Sequence, residues 1–346
     1  MRAIDDILQR DSERAARCDI RLLVPSVPGR WSDWTPLRRI EVRRVGRLRG
    51  HLWEQLELPR YARGGLLLSL AQTGPVLMRH QVVTIHDAAV FAAPEGFSLP
   101  FRTWHRLLGI ALGRMAARVV TVSSFSAREL RRYCRIAESK ITVVPPGVDH
   151  LTRLQPDYGV LDRHGLGDRP FVLSIGSLNP NKNLHGLSAA VCLLGRRDYE
   201  FVVAGADNRR VFRRSEAGVP NGLRWLGYVT DQELRALYER ATCFVHASLY
   251  EGFGLPPLEA MACGCPVVAS NRAALPETCG RAALYCDPTS PEDIARKIQM
   301  VMGDPGLRAD LRCRGLERIR EFAWERSARV MLAVADEVAM KREADP

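Results

Sequence analysis

The chain has 346 residues, 46% of them apolar and 26% charged, with a formal charge of +11 at neutral pH. That length exceeds what one core serves well, so two domains are expected, and the composition excludes a disordered, collagenous or disulfide-rich chain. The basic excess favours phosphorylated small molecules, polyanions or an anionic membrane surface without choosing among them.

From the amino end, "MRAIDDILQRDSERAARCD" is charged throughout, unlike a secretory signal, and "AIDDILQRDSERAA" reads as a helix. "DIRLLVP" is the first candidate strand. An arginine-rich stretch follows, in which Arg38, Arg39, Arg43, Arg44, Arg47, Arg49, Arg60 and Arg63 are opposed by only Glu41, Glu54 and Glu57. Beside Trp34, Leu48, Trp53 and Leu56 these cations suit anionic lipid head groups, and a plain solvated face is the competing reading. "GGLLLSLAQTGPVLM" is interrupted by Gln72, Thr73 and Pro75 before it reaches the length of a membrane span. Work at a membrane would be done from its surface.

"VVTIHD", "RVVTVS" and "KITVVP" are the next strands, with "SSFSARELRRYC" a helix between the last two. His86 and Asp87 close the first of them. His86 suits a sugar hydroxyl across a cleft; the plainer reading has Asp87 capping the next turn with His86 packed beside it. "PPGVDHLTRLQPDYGVLDRHGLGDRP" is rich in proline, glycine and charge, so 151–170 is expected as linker and surface loop between a first domain, 1–150, and a second, 171–322. Strands "PFVLSIG", "EFVVAG", "LRWLG", "CFVHAS", "PVVAS" and "AALYC" follow, separated by helical stretches such as "TDQELRALYERA". Alternating strand and helix means an α/β architecture: two doubly wound, Rossmann-like parallel-sheet domains meeting at a cleft, with ligands outside the carboxyl ends of the strands.

Chemistry concentrates at those ends. In "FVLSIGSLNPNKNLHGL" a strand leads through Gly176 and a loop to a helix near Asn183, and Lys182 stands where an ammonium would neutralise a diphosphate leaving group. "LRWLGYVTDQEL" places Tyr228 and Val229 at a strand end, to flank a nucleobase or to pack in the core. In "HASLYEGFGLPPLEAMACG" the amides of Phe253, Gly254 and Leu255, ahead of a helix started by Pro256, would hold a phosphate. Glu251 and Glu259 carry the wrong charge to touch that phosphate and should each accept from hydroxyls on either side of it. A diphosphate with a sugar at each end, a nucleotide sugar, satisfies both. The close cysteine pair Cys263 and Cys265 lacks the second cluster a zinc site needs, and no Asp-x-Asp metal motif or nucleic-acid pattern occurs.

On these residues the chain resembles the retaining glycosyltransferases of family 4, of GT-B fold, and among them bacterial mannosyltransferases of polysaccharide assembly. The similarity runs from about "HLWEQLELP" to "FAWERSARVML", and its most specific part is the E-x7-E pair, Glu251 and Glu259. The resemblance implies that Glu251 binds the transferred sugar, Glu259 the ribose, Lys182 the phosphates, with His86 facing the donor sugar and the base near Tyr228 and Val229. Gly176, Ser177 and Asn181 would line the first phosphate turn; Ser177 and Asn181 stand where many relatives carry arginines. It further implies metal-independent transfer by front-face displacement, GDP-mannose as donor, and a polyprenyl-diphosphate-linked or other glycan acceptor. The enzyme would then be cytoplasmic and peripheral on the inner face of the plasma membrane. A nucleotide-sugar epimerase, or a degenerate binding subunit of the same fold, are the alternatives. Relatives open on a strand and a glycine-bearing loop, whereas this sequence opens on what reads as the following helix. The first strand is therefore expected to be missing, and 323–346 to form a helix crossing back onto the first domain.

Overall fold

The computed structural model describes residues 1–26, 37–167, 169–177, 179–195, 198–205 and 221–344, so Trp34 lies outside the described residues. In the first half, β3 (Leu67–Ser69), β4 (Gln81–Thr84), β5 (Arg118–Thr121) and β6 (Ile141–Val143) form a parallel sheet in chain order, while β1 (Arg21–Pro25) and β2 (Glu41–Val45) pair separately, also in parallel. β4 and β5 are almost wholly buried, which is why they read as unbroken β-branched runs. β2, Glu-Val-Arg-Arg-Val, is exposed along its length and carries no such signal.

The expected amino-terminal helix is two helices, Arg2–Arg10 and Ser12–Arg17, broken at Asp11, whose carboxylate accepts from the Arg14 amide at 2.9 Å. Asp5 is buried and ties the first of them to the start of β2 by accepting from the amides of Arg38, Arg39 and Ile40 at 3.0, 2.7 and 3.0 Å.

In the second half, β7 (Phe171–Ile175), β8 (Glu200–Ala204), β9 (Arg224–Gly227), β10 (Cys243–His246), β11 (Val267–Ser270) and β12 (Ala283–Cys286) form one parallel sheet in the order β12-β11-β10-β7-β8-β9. Helices cover both faces, giving one cluster around Phe171, Leu173 and Phe244 and another around Val172, Val203 and Val245. The order reverses between β7 and β10, and a crevice opens at such a switch point beyond the strand ends.

The stretch 151–170 is largely exposed, as a surface segment should be, but it is not loop throughout. Leu151, Val160, Leu161 and Leu166 are buried in the first of those clusters, with Asp149–Thr152 and Gly159–Arg163 helical. Its prolines and glycines bend the chain, but its apolar residues find the sheet face.

The chain crosses between the halves twice, and the crossings lie against each other. Val148 N donates to Phe322 O at 3.1 Å, Trp324 N to the Asp149 carboxylate at 2.8 Å, and Ser327 Oγ to Pro145 O at 2.5 Å. A Cβ on Gly147 would stand 2.2 Å from the Trp324 nitrogen, so the contact needs glycine. The helix Trp324–Ala344 then spans both pieces of the first domain. Ala328 and Leu332 pack with Ile4, Ile7 and Leu8; Met331, Val334 and Val338 pack with Val82, Val120 and Val144. Arg14 pairs with Asp336 and Arg118 with Glu337 along it. Among the described residues no helix is long and apolar enough to cross a membrane.

Candidate active site at the switch point

β7 and β10 each deliver one side of the site. After β7 the chain passes Gly176 and a short turn, Pro180–Lys182, to Asn183, a left-handed residue (φ 55°) that starts the helix Leu184–Leu193. Asn183 Nδ2 donates to Ala247 O at 3.0 Å and Pro288 O at 2.7 Å, which clamps the turn to the β10 and β12 ends. Gly176 leaves room for the Lys182 stem, since a Cβ there would meet Lys182 Cβ at 3.3 Å. Lys182 Nζ donates to Glu251 Oε1 at 2.7 Å.

β10 ends in His246, which is buried and lies 2.8 Å through Nε2 from the same Glu251 oxygen, with Ser248 Oγ 3.2 Å from that nitrogen. Both contacts fall on Oε1; among the described residues Oε2 makes no hydrogen bond. Burial by itself would raise the Glu251 carboxyl, but the Lys182 ammonium and His246 outweigh it and hold the group well below the usual carboxylate range. It is a carboxylate at any working pH, able to accept a hydroxyl and unable to donate a proton.

Gly254 (φ 96°) turns the loop into the helix Leu255–Ala262. The amides of Phe253, Gly254 and Leu255 donate to nothing among the described residues, which leaves the helix start with free donors. The Phe253 ring is buried against Phe322, with 5.6 Å between the ring centroids. Glu259, buried on that helix, accepts from Tyr238 Oη at 3.2 Å, and His150 Nε2 lies 3.4 Å from its other oxygen. The Glu259 contact raises the His150 pKa. Trp324 Nε1 donates to His150 Nδ1 at 3.3 Å, tying this carboxylate to the interdomain crossing.

The first domain closes over the loop. Ser123 Oγ and Ser126 Oγ donate to Gly252 O at 2.6 and 2.9 Å, and a Cβ on Gly252 would stand 2.5 Å from Asp87 Cβ. Glu277 of the second domain accepts from the amides of Ser124 and Phe125 at 2.6 and 2.8 Å, capping the first-domain helix Ser124–Cys134. Asp87 Oδ1 accepts from Ala89 N at 2.8 Å, the capping role that was its plainer reading, and burial pushes its carboxyl up. His86 is exposed at the β4 end and interacts electrostatically with Asp87.

The structure therefore joins Lys182 to Glu251 ahead of the loop amides, with Asp87 against Gly252 of that loop, while His86 is held through its backbone by Gln72 and Thr121. Glu259 stands apart, about one helical turn along, with different partners. Tyr228 is 76% exposed and is not core, whereas Val229 below it packs on the core. Ser177 is half-buried in the turn beside residue 178, which lies outside the described residues. Asn181 is buried with its amide 3.4 Å from Ala93 O of the first domain, so its side chain serves the interdomain contact.

The sequence reading missed three residues. His246 carries a signal, a polar side chain closing an apolar strand. Gln72, also left-handed (φ 61°), accepts from His86 N at 2.8 Å; it and His150 become visible only when distant segments meet.

Two family models match the chain, one on each half. The family described as "Glycosyltransferase Family 4" matches residues 14–150 and "Glycosyl transferases group 1" matches residues 162–318. O-antigen chain mannosyltransferase B of Escherichia coli is 35% identical over 262 residues, covering 72% of this chain and 68% of that protein. The chain belongs to glycosyltransferase family 4.

This family 4 glycosyltransferase is also 30% identical over 231 residues to the serotype-specific mannosyltransferase WbdA of Escherichia coli, covering 62% of this chain but only 28% of WbdA. In fold it is similar to a sucrose-phosphate synthase from Thermosynechococcus elongatus, with a TM-score of 0.71 at 20% identity, covering 95% of this chain and 91% of that one. Its two parallel-sheet domains are those of the GT-B fold.

Proposed function

We propose that this glycosyltransferase moves mannose from GDP-mannose, with retention and without a metal ion, onto a hydroxyl of a lipid-linked glycan in bacterial polysaccharide assembly. The enzyme would work from the cytoplasm at the inner face of the plasma membrane. The observation that carries the reading is the cluster Lys182–Glu251–His246 at the switch point, just ahead of a helix start with free amides. Lys182 and Glu251 satisfy each other. An entering diphosphate offers the ammonium a second anion, and Glu251, still held by His246, presents Oε2 to a sugar hydroxyl. The bond from C1 to the phosphate oxygen breaks as the acceptor oxygen attacks the same face. The acceptor proton passes to the departing phosphate, whose growing charge Lys182 and the amides stabilise. The names of the mannosyltransferase relatives support mannose, and those of O-antigen assembly support the acceptor class.

A nucleotide-release assay across GDP-, UDP- and ADP-sugars, with membrane extract as acceptor and EDTA present, tests this. GDP release from GDP-mannose, with an α-linked product by NMR, is expected. Preference for another donor, an inverted product or loss of turnover in EDTA would each overturn the corresponding part. Isomerised donor without transfer would point to the epimerase.

A further inference from the structure

We propose that the first domain docks on an anionic lipid bilayer through one face, inserting apolar side chains from two adjacent helical segments. The proposal deepens the membrane part of the reading above by naming the surface, and it stands on separate observations. Leu52 and Leu56 of the helical segment 50–61, and Leu99, Trp104 and Leu107 of the helix Leu99–Met115, are between 40% and 64% exposed. The two segments adjoin, because the His51 ring lies 5.3 Å from the Trp104 ring and 5.9 Å from that of His105. Leu52 and Leu56 are four residues apart and Trp104 and Leu107 three, so each pair shares a helix face. Large apolar side chains gathered in this way mark an interaction surface, whereas single ones do not.

Charge says what covers it. The two acids of the segment are turned inward: Glu57 accepts from the amides of Arg47 and Leu48 at 2.9 and 2.8 Å, and Glu54 from Thr73 Oγ1 at 2.5 Å and Gln55 Nε2 at 3.0 Å. Arg49, Arg60 and Arg63 are exposed and make no ion pair among the described residues. The first segment thus leaves both apolar groups and cations exposed, which matches acyl chains beneath anionic head groups. A second copy would set arginine against arginine. Trp53, an anchor by sequence, is turned in, its Nε1 donating to Val45 O at 2.8 Å, and Trp104 takes that place. The helix Leu99–Met115 starts just after Gly96, whose Cβ would meet Asn181 Nδ2 at 2.7 Å, so one end of the face adjoins the donor turn. A membrane-borne acceptor would be presented near the cleft.

Flotation of the full chain with vesicles, in the absence of any donor, tests the proposal. Binding to phosphatidylglycerol–phosphatidylethanolamine vesicles, with little to phosphatidylcholine, is expected. Trp104→Ser/Leu107→Ser should weaken partitioning by about tenfold with an unchanged thermal midpoint. Quenching of tryptophan fluorescence by brominated lipid should fall in Trp104→Phe, which keeps the apolar bulk. Arg49→Ala/Arg60→Ala should flatten the dependence on phosphatidylglycerol. Equal binding to both vesicle types, unaltered binding by the serine variant, or lipid-free self-association that Leu107→Ser abolishes would each overturn the assignment. Because no sugar donor is present, failure here leaves the transfer reaction untouched, and a failed transfer assay leaves this result standing.

Discussion

Lys182 and His246 meet on one oxygen of Glu251, and their removal should have different consequences. Lys182→Ala deletes the cation that meets leaving-group charge, so turnover should fall about 10²–10³-fold with a smaller change in donor affinity, measured by single-turnover kinetics and calorimetry. Normal turnover in that variant would remove Lys182 from the mechanism. His246→Ala leaves Glu251 held only by Lys182, which the diphosphate competes for. Turnover should drop, the acid limb of the rate profile should move to higher pH as the carboxyl rises, and His246→Gln should recover part of the loss. A pH profile identical to wild type would reduce His246 to packing. At this scale sequence reasoning went far with Glu251, Glu259 and Lys182, because loop and spacing restrict what such residues can do. It could not pair His246 with Glu251, since a polar residue at a strand end has many fates.

Among elements, the amino-terminal helix depends on a single side chain. Asp5→Ala strands three amides at the start of β2, and at ~1 kcal/mol each this should cost about 3 kcal/mol by denaturant unfolding. Burial opposes the Asp5 charge, but its three amide partners and Gln9 prevail, so its pKa lies below the ordinary value in the folded chain. The unfolded state therefore binds the proton more readily. The stabilisation is complete above the ordinary carboxylate pKa and disappears as pH falls through the lowered one. Wild type and Asp5→Asn should accordingly differ less in thermal midpoint at acid pH than at neutral pH, and a constant gap would count against this role. β2 escaped sequence reading for a related reason: an exposed strand is held by its neighbour and its cap, and its own side chains are free to be charged.

For the whole molecule the question is how the two domains meet. Glu277→Gln weakens the cap that the second domain places on the helix Ser124–Cys134. Small-angle scattering should report a more open average shape, and donor should restore the closed one; an unchanged profile would show that the Ser123 and Ser126 contacts suffice. Residue pattern was enough for the α/β class, for the succession of second-domain strands along the chain, and for the loop and helix start that carry Glu251 and Glu259. Those features are local: burial on both faces writes β-branched runs into a strand, and a tight turn before a helix demands glycine and proline. Long-range packing was needed to bury Leu151, Val160, Leu161 and Leu166, to turn Asn181 to the other domain, to leave Trp104 outside while Trp53 is in, and to give each glutamate its own histidine. Each of those outcomes depends on which distant surface a side chain meets, and that information is spread over the whole fold.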